Sequence, residues 1–241
     1  MYPLTKEFLN AQNDDGATAL HLAIEAKSVK CLESLLSNDD VDATLSDENE
    51  TTPVRAALLS SANKCAKILF ETTASVVSEI KNTNLLLETA KTGNAEGVSI
   101  VMKAIPRTSL EGVLNNVDEE GFDVMAHCVM KNMSSCVQDL IKSGCVALKE
   151  WQNPDDGGNL LHLATQHGVC VKILDSLIGA GVQIRHEDCE NLAPLHWAAK
   201  EGHRDLVNVL APLSVDLRDS REGMTAVRCC FHLNISLQEF H

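Results

Sequence analysis

His21, His162 and His196 are the side chains of this chain best suited to acid–base chemistry. An imidazole is the usual general base or metal ligand near neutral pH. All three sit in one local frame: Leu20-His21-Leu22-Ala23, Leu161-His162-Leu163-Ala164 and Leu195-His196-Trp197-Ala198. A catalytic histidine is placed once, beside one substrate. One that returns at the same place in successive units is a structural device, expected to bond turn backbone in its own and the neighbouring unit. Arg55 and Arg228 stand at that place elsewhere as long donors, while His127, His167, His203 and His232 read as exposed polar residues. The cluster Asp155-Asp156-Gly157-Gly158 lacks the alternating acids and later glutamate of a calcium loop. There is no G-x-x-x-x-G-K phosphate loop and no readable Ser-His-Asp set. The chain is therefore expected to be non-catalytic, without metal or cofactor.

The nine cysteines lead to the same expectation. Cys31, Cys65 and Cys136 fall at one place in the second helix of their units. Stacked helices lie about 8–10 Å apart, beyond comfortable disulfide reach. No C-x-x-C or paired Cys/His spacing marks a zinc site. Small buried apolar thiols are the expected role, and reduced thiols fit a cytosolic setting. Cys229-Cys230 are consecutive and face different ways on a helix.

The elements that place these residues repeat. From His21 the matching place recurs at Arg55, Leu87, Ala126, His162, His196 and Arg228, a period near 33 residues. The fullest copies are Asn13-Asp-Asp-Gly-Ala-Thr-Ala-Leu-His-Leu-Ala23 and Asp188-Cys-Glu-Asn-Leu-Ala-Pro-Leu-His-Trp-Ala-Ala199, with Gly157-Gly-Asn-Leu-Leu-His-Leu-Ala164 a third. This frame resembles the ankyrin repeat. The resemblance implies an all-α fold, a solenoid of about seven helix-turn-helix units joined by short β-hairpin-like turns. One domain over residues 1–241 is expected, with units near 13–46, 47–78, 79–117 (degenerate), 118–153, 154–187, 188–219 and 220–241 (incomplete).

Within the best unit, Pro194 opens a helix, Gly202 ends it in a left-handed conformation, and Leu206, Val207, Val209 and Leu210 form the second helix. Two short helices cannot bury their apolar faces alone, so stability comes from stacking. The turn glycine is present at Gly16, Gly121, Gly157 and Gly223 and replaced by Glu50 and Asn191. Glutamate there costs roughly 1–2 kcal/mol if the left-handed conformation is kept. The third unit keeps a helix pair, Leu85 to Ala90 and Val98 to Met102, without a recognisable turn. Lys103 to Val117, with Pro106, reads as a long connection, and a stability minimum or change of stacking angle is expected between residues 70 and 117. Phe8 to Gln12 reads as the last strand of a preceding unit, and the end after Cys230 forms no clear second helix, so a fragment or short form of a longer protein is expected.

Thirty-four acidic residues against 20 basic give a net charge of −14, which repels phosphate and argues against nucleic acid. No signal peptide or long apolar run is present, so neither secretion nor membrane insertion is expected. The acids concentrate at the turn tips: Asp14 and Asp15, Glu48 and Asn49, Glu119 and Glu120, Asp155 and Asp156, Cys189 and Glu190, Arg221 and Glu222. Turn tips favour such residues merely as solvated positions. Side by side they also make a negative ridge suited to a basic peptide or protein patch. Trp151, in an insertion before the fifth turn, either packs down to pin that turn or anchors a partner.

The expected function is a protein-interaction scaffold gripping a protein or peptide on its concave face, as a monomer or within a larger chain. The alternatives are a structural spacer, or a regulatory segment such as a ligase substrate receptor or a channel's soluble array. The Asp118-Glu-Glu-Gly121 turn, the Gly144-Cys145 ending, Trp151, Gly157-Gly158 and Leu160-Leu161-His162 are also similar to the repeat array of ankyrin-and-FYVE-domain endosomal proteins. That resemblance implies a cytoplasmic scaffold on endosomes, an effector of Rab-type GTPases whose zinc-bearing lipid module is not in this chain.

Overall fold

Residues 5–73, 84–146 and 148–214 are described in the computed structural model, and among them every regular element is a helix. The turns carry paired backbone hydrogen bonds but no strand. Contacts divide the chain into two compact units, Met1–Val113 and Leu114–His241.

In the first unit α1 (Lys6–Leu9) takes up Phe8 and Leu9 of the segment expected as a strand, and Asn10 to Gln12 follow as turn and coil. Thr5 caps the helix, its hydroxyl accepting from the Phe8 N–H. Three hairpins follow: α2 (Ala19–Glu25) with α3 (Val29–Leu36), α4 (Pro53–Leu59) with α5 (Asn63–Thr72), and α6 (Leu85–Lys91) with α7 (Ala95–Ala104). The first helices α2, α4 and α6 pack in one row, and the second helices α3, α5 and α7 in another. α8 (Arg107–Leu114) then occupies the stretch expected as a bare connection. Pro106 precedes it and accepts the Ser109 N–H, 2.9 Å, so the proline opens a helix rather than breaking one.

The second unit repeats the plan with α9 (Val124–Met130) and α10 (Ser134–Ser143), α11 (Leu160–Gln166) and α12 (Val171–Gly179), α13 (Pro194–Lys200) and α14 (Arg204–Ser214). Its first helices form one row and its second helices another. The incomplete seventh unit expected over 220–241 lies outside the described residues.

All six first helices are seven residues long, too short to persist alone in water. Burial holds them. Leu20, Ile24, Val54, Leu58, Leu86, Met125, Val129, Leu161 and Leu195 are almost wholly removed from solvent, each contributing about 1.5–3 kcal/mol. Where first and second helices approach, the side chain is small or compact: Ala23, Ala57, Thr89, Cys128, Ala164 and Ala198, all buried. A left-handed residue makes each joint between paired helices: Lys27, Ser61, Gly93, Asn132, Gly168 and Gly202.

Candidate functional site

Each turn is built by a short polar side chain at its start. Asp118 shows the pattern: its Oδ1 accepts the N–H groups of Glu120 and Phe122, and its own N–H donates to the Phe122 carbonyl. Asn13, Asp47 and Asp188 do the same. The Thr51 N–H holds the Asp47 carboxyl below its ordinary range, ahead of the smaller opposing effect of burial. At Asn153 the return bond reaches Gly158, five residues on instead of four, so this turn is one residue longer. One residue of the insertion seen in the sequence is absorbed there.

The residue closing each turn is left-handed: Gly16, Gly121 and Gly157 where glycine is present, Glu50 (φ 57°) and Asn191 (φ 57°) where it is not. Glutamate does keep the strained conformation. Gly16 has a second reason to lack a side chain, since a Cβ there would lie 2.7 Å from the Glu48 nitrogen. That closeness is functional geometry: the Glu48 N–H donates to the Asp15 carbonyl, 3.1 Å, tying one tip to the next. In the second unit the Cys189 N–H donates to the Asp156 carbonyl, 2.7 Å.

The repeat histidines bridge successive turns. The Thr18 N–H donates to His21 Nδ1, 3.1 Å, which leaves the proton on Nε2 to donate to the Thr51 carbonyl, 2.8 Å. His162 repeats this with the Asn159 N–H, 3.1 Å, and the Leu192 carbonyl, 2.9 Å. Burial pushes the His162 imidazole below its usual pKa, against the smaller upward pull of its bond to Leu192. His196 accepts the Ala193 N–H at Nδ1, 3.0 Å. Arg55, which stands at the same place, pairs with Glu88 of α6, 2.9 Å. Arg228 and His232 lie outside the described residues.

The structure gives the predicted tip residues unequal surroundings. Asp14, Asp15, Glu48, Asn49, Glu119, Glu120, Asp155 and Cys189 are exposed. Asp156 and Glu190 are half-buried. Asp156 is engaged at both oxygens, Oδ1 by the Gly158 N–H, 2.8 Å, and Oδ2 by Gln166, 2.9 Å. Arg221 and Glu222 lie outside the described residues. Trp151 is only partly exposed. Its ring stacks on Phe122 in the preceding turn, centroids 6.4 Å apart and planes 29° off parallel.

Some site residues were not foreseen. His127, expected to be exposed, is buried and bonds through Nε2 to Asp118 Oδ2, 2.8 Å, with the Phe122 ring edge-on at 6.1 Å. Trp197 Nε1 donates to Asp188 Oδ2, 2.6 Å, and Lys200 sits over the Trp197 ring at 4.0 Å. The signal was available: Asp118 to His127 and Asp188 to Trp197 are both nine residues apart. In the first unit Leu22 and Ala56 occupy that place and carry no donor. Leu22 is half exposed, and Leu59 on α4 is 37% exposed. The cysteines also divide. Cys65, Cys128 and Cys136 are buried as expected, whereas Cys31, Cys170 and Cys189 are exposed.

Among the described residues no group of three His, Cys, Asp or Glu is placed to hold a metal. No described helix is long and apolar enough to cross a membrane.

Against known proteins, the family model described as ankyrin repeats (3 copies) matches residues 2–80 and 125–221. The chain is 23% identical over 251 aligned residues to the E3 ubiquitin-protein ligase KEG of Arabidopsis thaliana, covering 92% of this chain and 14% of the ligase's length. Among solved structures it resembles the ankyrin repeat domain of Bcl-3, a member of the IkappaB protein family, with TM-score 0.66, 16% identity, and coverage of 92% of this chain and all of that one. It also resembles the human ASB11 ankyrin repeat domain, with TM-score 0.64, 18% identity and coverage of 92% and 93%.

Proposed function

The chain belongs to the ankyrin repeat family, whose members generally mediate contacts between proteins, and from that premise we propose that it is a non-catalytic adaptor whose turn tips and first helices grip a basic segment of a protein partner. The observation that carries this reading is the tip ladder of the first unit. Asp14, Asp15 and Glu48 are exposed, held side by side by the Asp15–Glu48 backbone bond, and adjoin first helices that present Leu22, Glu25 and Leu59 to solvent. Carboxylates fixed on short, hydrogen-bonded turns attract lysine and arginine, speeding encounter and fixing orientation. The half-exposed leucines supply apolar contact for the stems of those side chains or for neighbouring residues of the partner. Glu119, Glu120 and Asp155 extend the same chemistry within the second unit.

Two charge-reversal variants test the reading, one carrying Asp14, Asp15 and Glu48 as lysine and the other Glu119, Glu120 and Asp155. Affinity for arrayed Lys/Arg-rich peptides is measured by fluorescence anisotropy at two salt concentrations. Loss of binding in at least one variant, with wild-type binding weakened by salt, supports the proposal. Peptide binding equal in all three proteins removes it.

A second reading is favoured by the alignment with a ubiquitin ligase over 92% of this chain: the repeats act as the partner-recruiting segment of a larger ligase. Recovery of ubiquitylated partners in complexes containing this chain distinguishes it from a spacer, which would recover none.

A further inference from the structure

We propose that Trp151 is the docking platform for an arginine side chain of the basic partner segment, its guanidinium stacking on the indole face that Phe122 leaves open. This rests on the function proposed above, that a basic segment binds, and adds the residue that selects among basic side chains. Trp151 is half-buried, and the Phe122 ring lies against it with centroids 6.4 Å apart and planes 29° off parallel. Phe122 itself is buried. It fixes the indole from below and leaves the remaining exposure to the outer face.

Backbone geometry holds the ring in place. Gly121 is left-handed, φ 86°, and a Cβ on it would lie 2.6 Å from Pro154 Cγ. The bare glycine therefore lets the loop through Trp151 and Pro154 close on the turn that begins at Asp118. The far end of that loop is tied down by the Asn153 N–H, which donates to the Gly158 carbonyl, 2.7 Å. A ring ordered in advance costs a partner less than one that must be immobilised on binding.

The surroundings of the ring select its occupant. Glu119, Glu120, Glu150 and Asp155 are all exposed, and each lies within four residues of Phe122 or Trp151 in the chain. Lys149 is the one basic residue in those stretches, and it reaches elsewhere: its Cε would lie 3.0 Å from a Cβ on Gly181. The same unit shows what a cation does on such a ring. Lys200 sits over Trp197 at 4.0 Å, while Asp188 takes that indole N–H at 2.6 Å. Among the described residues Lys200 is the only cation lying over an aromatic ring, so Trp197 is served by its own chain and Trp151 is not. Exposed carboxylates call for positive charge, and the ring quadrupole draws that charge to the indole face. A guanidinium suits the place better than an ammonium. It is flat and weakly hydrated, and it stacks on the ring while its edge donates to carboxylates.

The test uses the whole chain and two short peptides of equal charge, one alternating arginine with glycine and the other lysine with glycine. Binding is followed by fluorescence anisotropy and by the indole N–H signals of Trp151 and Trp197 in NMR, assigned with Trp151→Phe. Wild type should bind the arginine peptide about 5-fold tighter than the lysine peptide. The Trp151 signal should shift, and the Trp197 signal, under Lys200, should stay in place. Trp151→Leu should bind both peptides alike. Trp151→Phe, which keeps a flat ring and guards against a folding defect, should retain part of the preference. Equal affinity of wild type for the two peptides overturns the proposal, as does a preference that survives in Trp151→Leu or a Trp151 signal that does not move. If the arginine peptide is lost on reversing Glu119, Glu120 and Asp155 to lysine but is untouched by Trp151→Leu, this proposal falls and the function it rests on stands. If neither peptide binds wild type, both fall.

Discussion

In the second unit, the turn residues Asp118, Asp156 and Asp188 each hold a donor from their own first helix: His127, Gln166 and Trp197. In the first unit, Leu22 and Ala56 stand nine residues after Asn13 and Asp47 and offer those turns no such bond. The start residue of the turn is therefore bonded to its own first helix at Asp118 and Asp188, and at Asn13 and Asp47 no donor stands at that place. The bracing spends acidic oxygens on internal contacts. The unbraced turns leave Asp14, Asp15 and Glu48 outward beside exposed Leu22 and Leu59. One unit adds side-chain bracing to its turns, and the described turns of the other do without it.

The largest effect that sharpens this contrast is expected at the repeat-histidine place. His162→Ala strands the buried Asn159 N–H and leaves the Leu192 carbonyl with only the Asp188 N–H, and should cost about 2 kcal/mol in urea unfolding. Arg55→Ala in the first unit removes a partly exposed pair with Glu88, a loss expected to cost no more than about 1 kcal/mol. Equal losses would break the comparison. Next is Asp188→Ala, which deletes the turn bonds and strands the Trp197 N–H, for about 2 kcal/mol. Asp47→Ala deletes turn bonds alone and should shift the urea midpoint less.

A gain is expected at Glu50, whose φ of 57° glycine adopts without penalty. Glu50→Gly should stabilise by about 1 kcal/mol. Asn191→Gly, at the same φ, should give only about 0.3 kcal/mol, because asparagine already tolerates that region. A calorimetric ranking with Asn191→Gly ahead would contradict the strain argument.

The gentlest effect is on pH. Burial lowers the His162 pKa in the folded chain, so near neutrality neither folded nor unfolded ring carries a proton. As pH falls below about 6.5, the unfolded chain takes up a proton that the folded chain refuses. Stability declines from there down through the lowered folded value. NMR titration should find the His162 midpoint below that of an unperturbed histidine.

Much of the fold was legible because the repeat writes its helix starts in side chains. Pro194 and the Leu-His-x-Ala frame mark first helices directly, and Glu50 could be placed in a left-handed turn by register alone. What register could not supply was the direction of a side chain at a place that varies between units. His127 was read as exposed because no sister unit has histidine there, yet its partner is the turn aspartate nine residues earlier. Trp151 likewise depends on Phe122, which belongs to the preceding turn and only folding brings near. α1 and α8 fall outside the repeating frame, and local propensity with Thr5 and Pro106 at their starts decided them.

The far end of each histidine bridge is a backbone carbonyl, Thr51 for His21 and Leu192 for His162. Every amino acid supplies that acceptor, so the bridge places no demand on the side chains of the module it reaches. Modules of this kind can be duplicated, lost or allowed to diverge without re-inventing the joint, and the joint survives even where neighbouring copies have ceased to look alike.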